Sequence, residues 1–154
     1  MGSKAYYELE ILDFTSLWCG FASAAFIPPL VPTDTVVGED AESWAVTNNG
    51  EVTMNIGKGK IKMLGWKQGD VIGLACDLQA MQMLSSVNGS FAPPKGRIFD
   101  LAPDSVLSGL FATFSCGQGA FGYNLGEAPF KYDPPAADYC AFVKFALIQE
   151  DLCS

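Results

Sequence analysis

Turn-forming residues cut this chain into pieces that suit strands and little else. Sixteen glycines and nine prolines fall among 154 residues. The segments between them are short, rich in β-branched and aromatic side chains, and closed by Gly, Pro, Asn or Asp, which is the pattern of an all-β protein. Strands are predicted over 5–12, 18–26, 42–47, 51–56, 60–64, 70–78, 81–87, 97–101, 109–115 and 119–125. In the first, Tyr7, Leu9 and Ile11 alternate with Glu8 and Glu10; in the last, Phe121, Tyr123 and Leu125 alternate with Ala120, Gly122 and Asn124. Such alternation gives one buried face and one wet face. Ten short strands of this kind predict a sandwich of two sheets.

The stretch "GDVIGLACDLQAMQMLSSVNG", residues 69–89, is the one place where a ligand-cradling loop competes with a strand. A phosphate loop needs a glycine-rich turn that leads into a helix, with a lysine or the helix N-terminus facing the anion. Gly69 and Gly73 make neither GxGxxG nor GxxxxGK[ST], and the residues after Gly73 are strand-like. The stretch therefore reads as a hairpin. Gly69 is a turn, Ile72, Leu74, Cys76 and Leu78 form a core face, and Gln79-Ala80 make a tight link. A partner strand then ends at the Asn88-Gly89 turn, with Gly73 allowing close approach of a neighbour.

Hydrophobic residues are 49% of the chain and charged residues 17%, a composition that folds. The length suits one domain with a single core. No apolar run reaches the ~18 residues of a membrane span, so the chain is expected to be soluble. The N-terminal "MGSK", residues 1–4, reads as an expression remnant outside the fold. Residues 27–40, "IPPLVPTDTVVGED", form the longest irregular segment, stiffened by three prolines. After "YDPP", Asp133 and Pro134 suit a helix start, and Tyr139, Phe142, Val143, Ala146 and Leu147 match helical spacing. The same residues also suit a closing strand, and both readings stay open.

Charge and chemistry exclude several functions. The net charge of −8 argues against nucleic acid or an anionic membrane as the partner. Residues 1–57 hold eight acids and one lysine. Lys58, Lys60 and Lys62 would share one strand face, as a contact stripe, a solvated face or an edge guard. The chain has no histidine and five cysteines, Cys19, Cys76, Cys116, Cys140 and Cys153, with no CxxC pair, which removes the usual zinc sets. An odd number of cysteines, four of them in apolar segments, predicts reduced thiols and an intracellular setting, cytoplasmic or nuclear.

Without histidine, Ser-His-Asp and Cys-His catalysis are closed. A carboxylate pair, Glu8 with Glu10, is the remaining route, as in glycoside hydrolysis, against the simpler reading of a solvated outer face. Asp34, Glu39, Asp40 and Glu42 offer oxygen ligands for calcium but match no EF-hand spacing; a solvated or docking acidic loop is the plainer reading. Trp44 is expected in the core, Trp18 in either the core or a contact, and Trp66 at a strand end. No catalytic residue, metal or cofactor is expected.

Taken in order, "YYELEIL", "CGFASAAF", "VGEDAESWAV", "GDVIGLACDL", "SVNG", "GLFATFS", "YNLG" and "PFKYDPP" resemble the SPRY domain, the module also found within B30.2 domains. The resemblance spans about residues 6–135 and lies in the order and spacing of pieces that are individually weak. It implies a bent β-sandwich of two antiparallel sheets, concanavalin A-like, over 5–135. Residues 136–154 would be an extension, in part a short helix, that packs on the domain or leads to the rest of a parent protein. It implies a non-catalytic module, monomeric in isolation, whose rim loops bind a peptide or protein surface. By position, the contact residues would be Ser23, Ile27, Pro29, Leu30, Asp34, Thr35, Cys116 and Gln118, to which the place of Trp18 at a strand start adds a further candidate. The Tyr and Trp that grip an Asn-rich peptide in one subgroup have no counterpart here. Gly117 and Gly119 flank Gln118 instead, so that specificity is not carried over. Two alternatives are a carbohydrate-binding, lectin-like sandwich and a structural domain packed within its parent protein.

Overall fold

The computed structural model describes residues 3–13, 16–27, 37, 38, 40–47, 52–54, 65–101, 104 and 109–144. The described residues form ten strands: β1 (Lys4–Ile11), β2 (Leu17–Ser23), β3 (Ser43–Thr47), β4 (Val52–Met54), β5 (Val71–Asp77), β6 (Gln82–Val87), β7 (Gly96–Asp100), β8 (Leu110–Cys116), β9 (Phe121–Asn124) and β10 (Cys140–Ala141). Nine of them fall on predicted strands. The predicted strand at 60–64, with two of the three alternating lysines, lies outside the described residues.

The strands form two sheets in the order β10-β1-β5-β6-β7, with β9 also on β1, and β4-β3-β2-β8. All pairings are antiparallel except β1 with β10. The core between the sheets obeys the period-2 pattern. Ala5, Tyr7, Leu9 and Ile11 of β1 and Ile72, Leu74 and Cys76 of β5 meet Leu17, Cys19 and Phe21 of β2 and Trp44 and Val46 of β3. Tyr7 is fully buried, lies edge-on to Phe21 at 5.3 Å, and donates its hydroxyl to the Gly20 carbonyl across the sheets. A Cβ on Gly20 would lie 1.8 Å from the Trp44 carbonyl oxygen, so only glycine allows β2 and β3 to approach in this way. Trp66, expected at a strand end, belongs to this core.

The hairpin reading of residues 69–89 holds. β5 and β6 pair from Ile72–Val87 to Asp77–Gln82. Asp77 accepts from the backbone N–H groups of Gln79 and Ala80 at the link, and Asn88 and Gly89 both take positive φ at the far turn. At Gly73 a Cβ would meet Ser86 Oγ at 2.3 Å and the Tyr6 hydroxyl at 2.6 Å, which accounts for glycine there.

The helix start expected at Asp133 and Pro134 does not form, since residues 133–139 run through bends and turns, and Ala146 and Leu147 lie outside the described residues. Cys140 and Ala141 pair in parallel with Ala5 and Tyr6, and residues 142–144 then turn helical. Phe142 is buried, 5.9 Å from the Tyr7 ring and 6.0 Å from the Phe21 ring. This part of the extension therefore completes the core.

The outer face of β1 departs from expectation. Glu8 is only 3% exposed where alternation predicts a solvated face. The segment after β9 folds across it as a strap. Phe130 lies edge-on to Tyr6 at 4.9 Å, and the Glu8 carboxylate accepts the N–H of Lys131 at 2.8 Å, the N–H of Tyr132 at 2.9 Å and the Tyr6 hydroxyl at 3.1 Å. A buried carboxylate with three donors is tolerable without a cation because each hydrogen bond to its charged form is a strong one.

Candidate functional site

β2 and β8 run side by side from Leu17–Cys116 to Ser23–Leu110, and this register decides which expected contact residues meet. At one end, Trp18 pairs with Thr47 and Ser115, and Cys116 stands beside Leu17. Trp18 belongs to the outward parity of β2, opposite to Leu17 and Cys19, and is half-buried. The loop after β8 is clamped to the start of β2. The N–H of Ser16 donates to the Gln118 carbonyl at 2.9 Å, and the N–H of Gly117 donates to the Ser16 carbonyl at 2.8 Å. Gly119 closes the loop at φ 104°, a left-handed conformation that suits glycine. Cys116, the last residue of β8, and Gln118 on this held loop are both exposed.

Ser23 and Ile27 sit at the other end of β2, about 20 Å away at ~3.3 Å per residue. Ile27 is 83% exposed and carries a bare apolar side chain into solvent. Ser23, expected as a contact residue, is 2% exposed. It shares the inward parity of Leu17, Cys19 and Phe21; its hydroxyl bonds the Glu42 carboxylate and accepts the N–H of Ala25 at 3.2 Å. β2 ends there, where the Phe26 N–H donates back to the Ser23 carbonyl, so the predicted strand at 18–26 runs three residues too far. Pro29, Leu30, Asp34 and Thr35 lie outside the described residues.

Val37 and Gly38 cover the outer face of the four-stranded sheet. Their N–H groups donate to Ser115 Oγ at 3.1 Å and Ser43 Oγ at 2.8 Å. Asp40, weighed as a calcium ligand, instead caps this turn, accepting from the Glu42 N–H at 3.0 Å and the Ser43 hydroxyl at 2.6 Å. Among the described residues, no group of three or more Cys, Asp or Glu is placed to hold a metal ion.

Glu8 and Glu10, the carboxylate pair weighed for catalysis, each have partners. Glu8 is enclosed by the strap, and Glu10 is paired with Lys131 Nζ at 2.6 Å. Burial pushes the Cys76 thiol up to about 12 and raises that of Cys19 further, so both stay protonated at neutral pH and are poor nucleophiles. The Lys4 ammonium, held by Asp138 at 2.6 Å and Asp77 at 3.5 Å, has its pKa raised, chiefly by its hydrogen bond to Asp138. It fastens the segment before β10 to the sheet.

Two features escape a reading of the sequence. One is the strap, although "PFKYDPP" carries an aromatic residue and two prolines soon after a strand. The other is Tyr123, which alternation places on a buried face but which is 60% exposed and stacked 5.7 Å from Phe114. Its parity is inward, but β9 is an edge strand, so the inward face opens to solvent there. No family model matches the sequence.

Proposed function

We propose that this chain is a non-catalytic protein-interaction domain of the SPRY type, which takes a segment or surface of another protein at the clamped loop end of β2 and β8. The observation that carries this reading is the pair of backbone hydrogen bonds between Ser16 and residues 117 and 118. They hold exposed Gln118 in a fixed position on a rigid scaffold, beside a strand that bears half-buried Trp18. Loops pinned in this way present side chains at little entropic cost on binding, and a partly exposed Trp is a suitable anchor. Exposed Ile27 extends the candidate surface at the opposite end of β2. The order of motifs along the chain and the two-sheet architecture support the family resemblance. Cys19, Cys76, Cys116 and Cys140 form no disulfide, which supports a reducing, intracellular setting. In this reading the domain docks a larger protein onto its partner.

The test is capture from cell lysate on immobilised wild type, Gln118→Arg, and Gln79→Arg, which makes the same charge change on the exposed β5–β6 turn. All three should melt at the same temperature. Partners retained by wild type and Gln79→Arg but lost from Gln118→Arg are expected; partners retained equally by all three would reject this surface.

A further inference from the structure

A groove of about 320 Å³ opens on the outer face of the six-stranded sheet, between β1 and β9 and the start of the strap. Its floor is apolar and low. Val71 and Gly122 stand opposite Glu10 in the register, and Gly122 contributes no side chain. Ala128 and Pro129 form the far wall. That wall is rigid, because the Asn124 amide donates to the carbonyls of Ala128 at 3.0 Å and Pro129 at 3.2 Å while its oxygen accepts the Gly126 N–H at 2.9 Å.

Three carboxylates line the groove, those of Glu8, Glu10 and Glu127, against one ammonium, that of Lys131. Lys131 is spent on Glu10, and Glu8 turns its oxygens to the strap. Glu127 Oε2 accepts the Leu125 N–H at 3.0 Å, and among the described residues no cation pairs with this carboxylate. The result is an apolar trough with an unbalanced acidic rim in a protein of net charge −8.

We infer that this groove receives an arginine side chain from a segment of a partner protein. The aliphatic stem would lie over Val71 and Pro129, and the guanidinium would reach the Glu127 carboxylate, with Glu10 beside it. An arginine side chain combines the two chemistries the groove offers, an apolar stem and a planar, permanently charged head matched to carboxylates. The loop-end surface and this groove are separate claims: Gln118→Arg probes the first, and Gly122→Leu and Glu127→Gln probe only the second.

The test is an amide-shift titration of the whole chain with the peptide acetyl-Gly-Arg-Gly-amide. The same peptide with citrulline, which keeps the shape and loses the charge, is the control. Saturable shifts are expected at Gly122, Asn124, Glu127 and Lys131 with arginine, and none with citrulline. A Cβ at Gly122 would touch nothing closer than Leu12 Cδ1 at 3.9 Å, so Gly122→Leu should fill the groove without disturbing the strand and abolish the shifts. Glu127→Gln, at an exposed position, should weaken binding severalfold while leaving the spectrum dispersed. Equal shifts with citrulline, shifts mapping elsewhere, or full binding by Glu127→Gln would each overturn the proposal.

Discussion

At the residue scale, the protein places its reactive groups under cover and leaves a few side chains bare. Cys19 and Cys76 are fully buried with raised pKa values, whereas Cys116 is exposed at the end of β8. A maleimide added to the native protein at neutral pH should therefore modify Cys116 and spare Cys19 and Cys76, as read by mass spectrometry of proteolytic fragments. Rapid labelling of Cys76 would show that the core opens more readily than this packing allows. Glu8 makes the opposite point about polar groups. Replacing it with Ala leaves the N–H groups of Lys131 and Tyr132 and the Tyr6 hydroxyl without their acceptor. That should cost roughly 2–3 kcal/mol in urea unfolding. The amides of 131 and 132 should lose hydrogen-exchange protection with it, since the strap is what Glu8 holds.

Elements show what the sequence could disclose and what it could not. The hairpin β5–β6 is legible because every cue is local. Gly69, the Gln79-Ala80 link and the Asn88-Gly89 turn bound strands whose inward residues alternate. β1 is legible in position but not on both faces. The alternation of Glu8 and Glu10 with Tyr7, Leu9 and Ile11 identifies the inward side, yet whether the outward side meets water depends on a strap more than a hundred positions away. The burial of Ser23 is hidden from the sequence for a related reason. Ser23 ends its strand on the inward parity, and its Glu42 partner comes from the turn just before β3, so the pairing exists only once β2 and β3 meet. The tail is ambiguous in sequence because the spacing of Tyr139, Phe142 and Val143 suits a helix while the same short apolar run suits a closing strand; the fold makes two strand residues and then a helical turn over 142–144. Phe142 tests the outcome. Truncation to Ala in a dispensable extension would leave stability unchanged, whereas Phe142 packed on Tyr7 and Phe21 should cost about 3–5 kcal/mol on thermal or urea unfolding.

On the scale of the whole molecule, two sheets joined through a Tyr7–Gly20 hydrogen bond and an aromatic core form a frame for surfaces at their margins. The clamped loop links β8 of one sheet to β9 of the other. The groove on the outer face of β1 and β9 is acidic, like the chain as a whole. Binding of a basic segment there should weaken as ionic strength rises, whereas a contact anchored by Trp18 should respond little to salt. Titrations of the arginine peptide at low and high salt, beside partner capture under the same two conditions, separate the surfaces.

The central claim is that the loop end of β2 and β8 contacts another protein. Its most direct measurement is site-specific photocrosslinking, with benzoylphenylalanine at position 118 and, as the control, at position 79. A discrete adduct formed only from position 118, and suppressed by excess unlabelled wild-type domain, is the predicted result. Adducts of equal yield from both positions, or adducts from 118 that excess domain does not suppress, would contradict it.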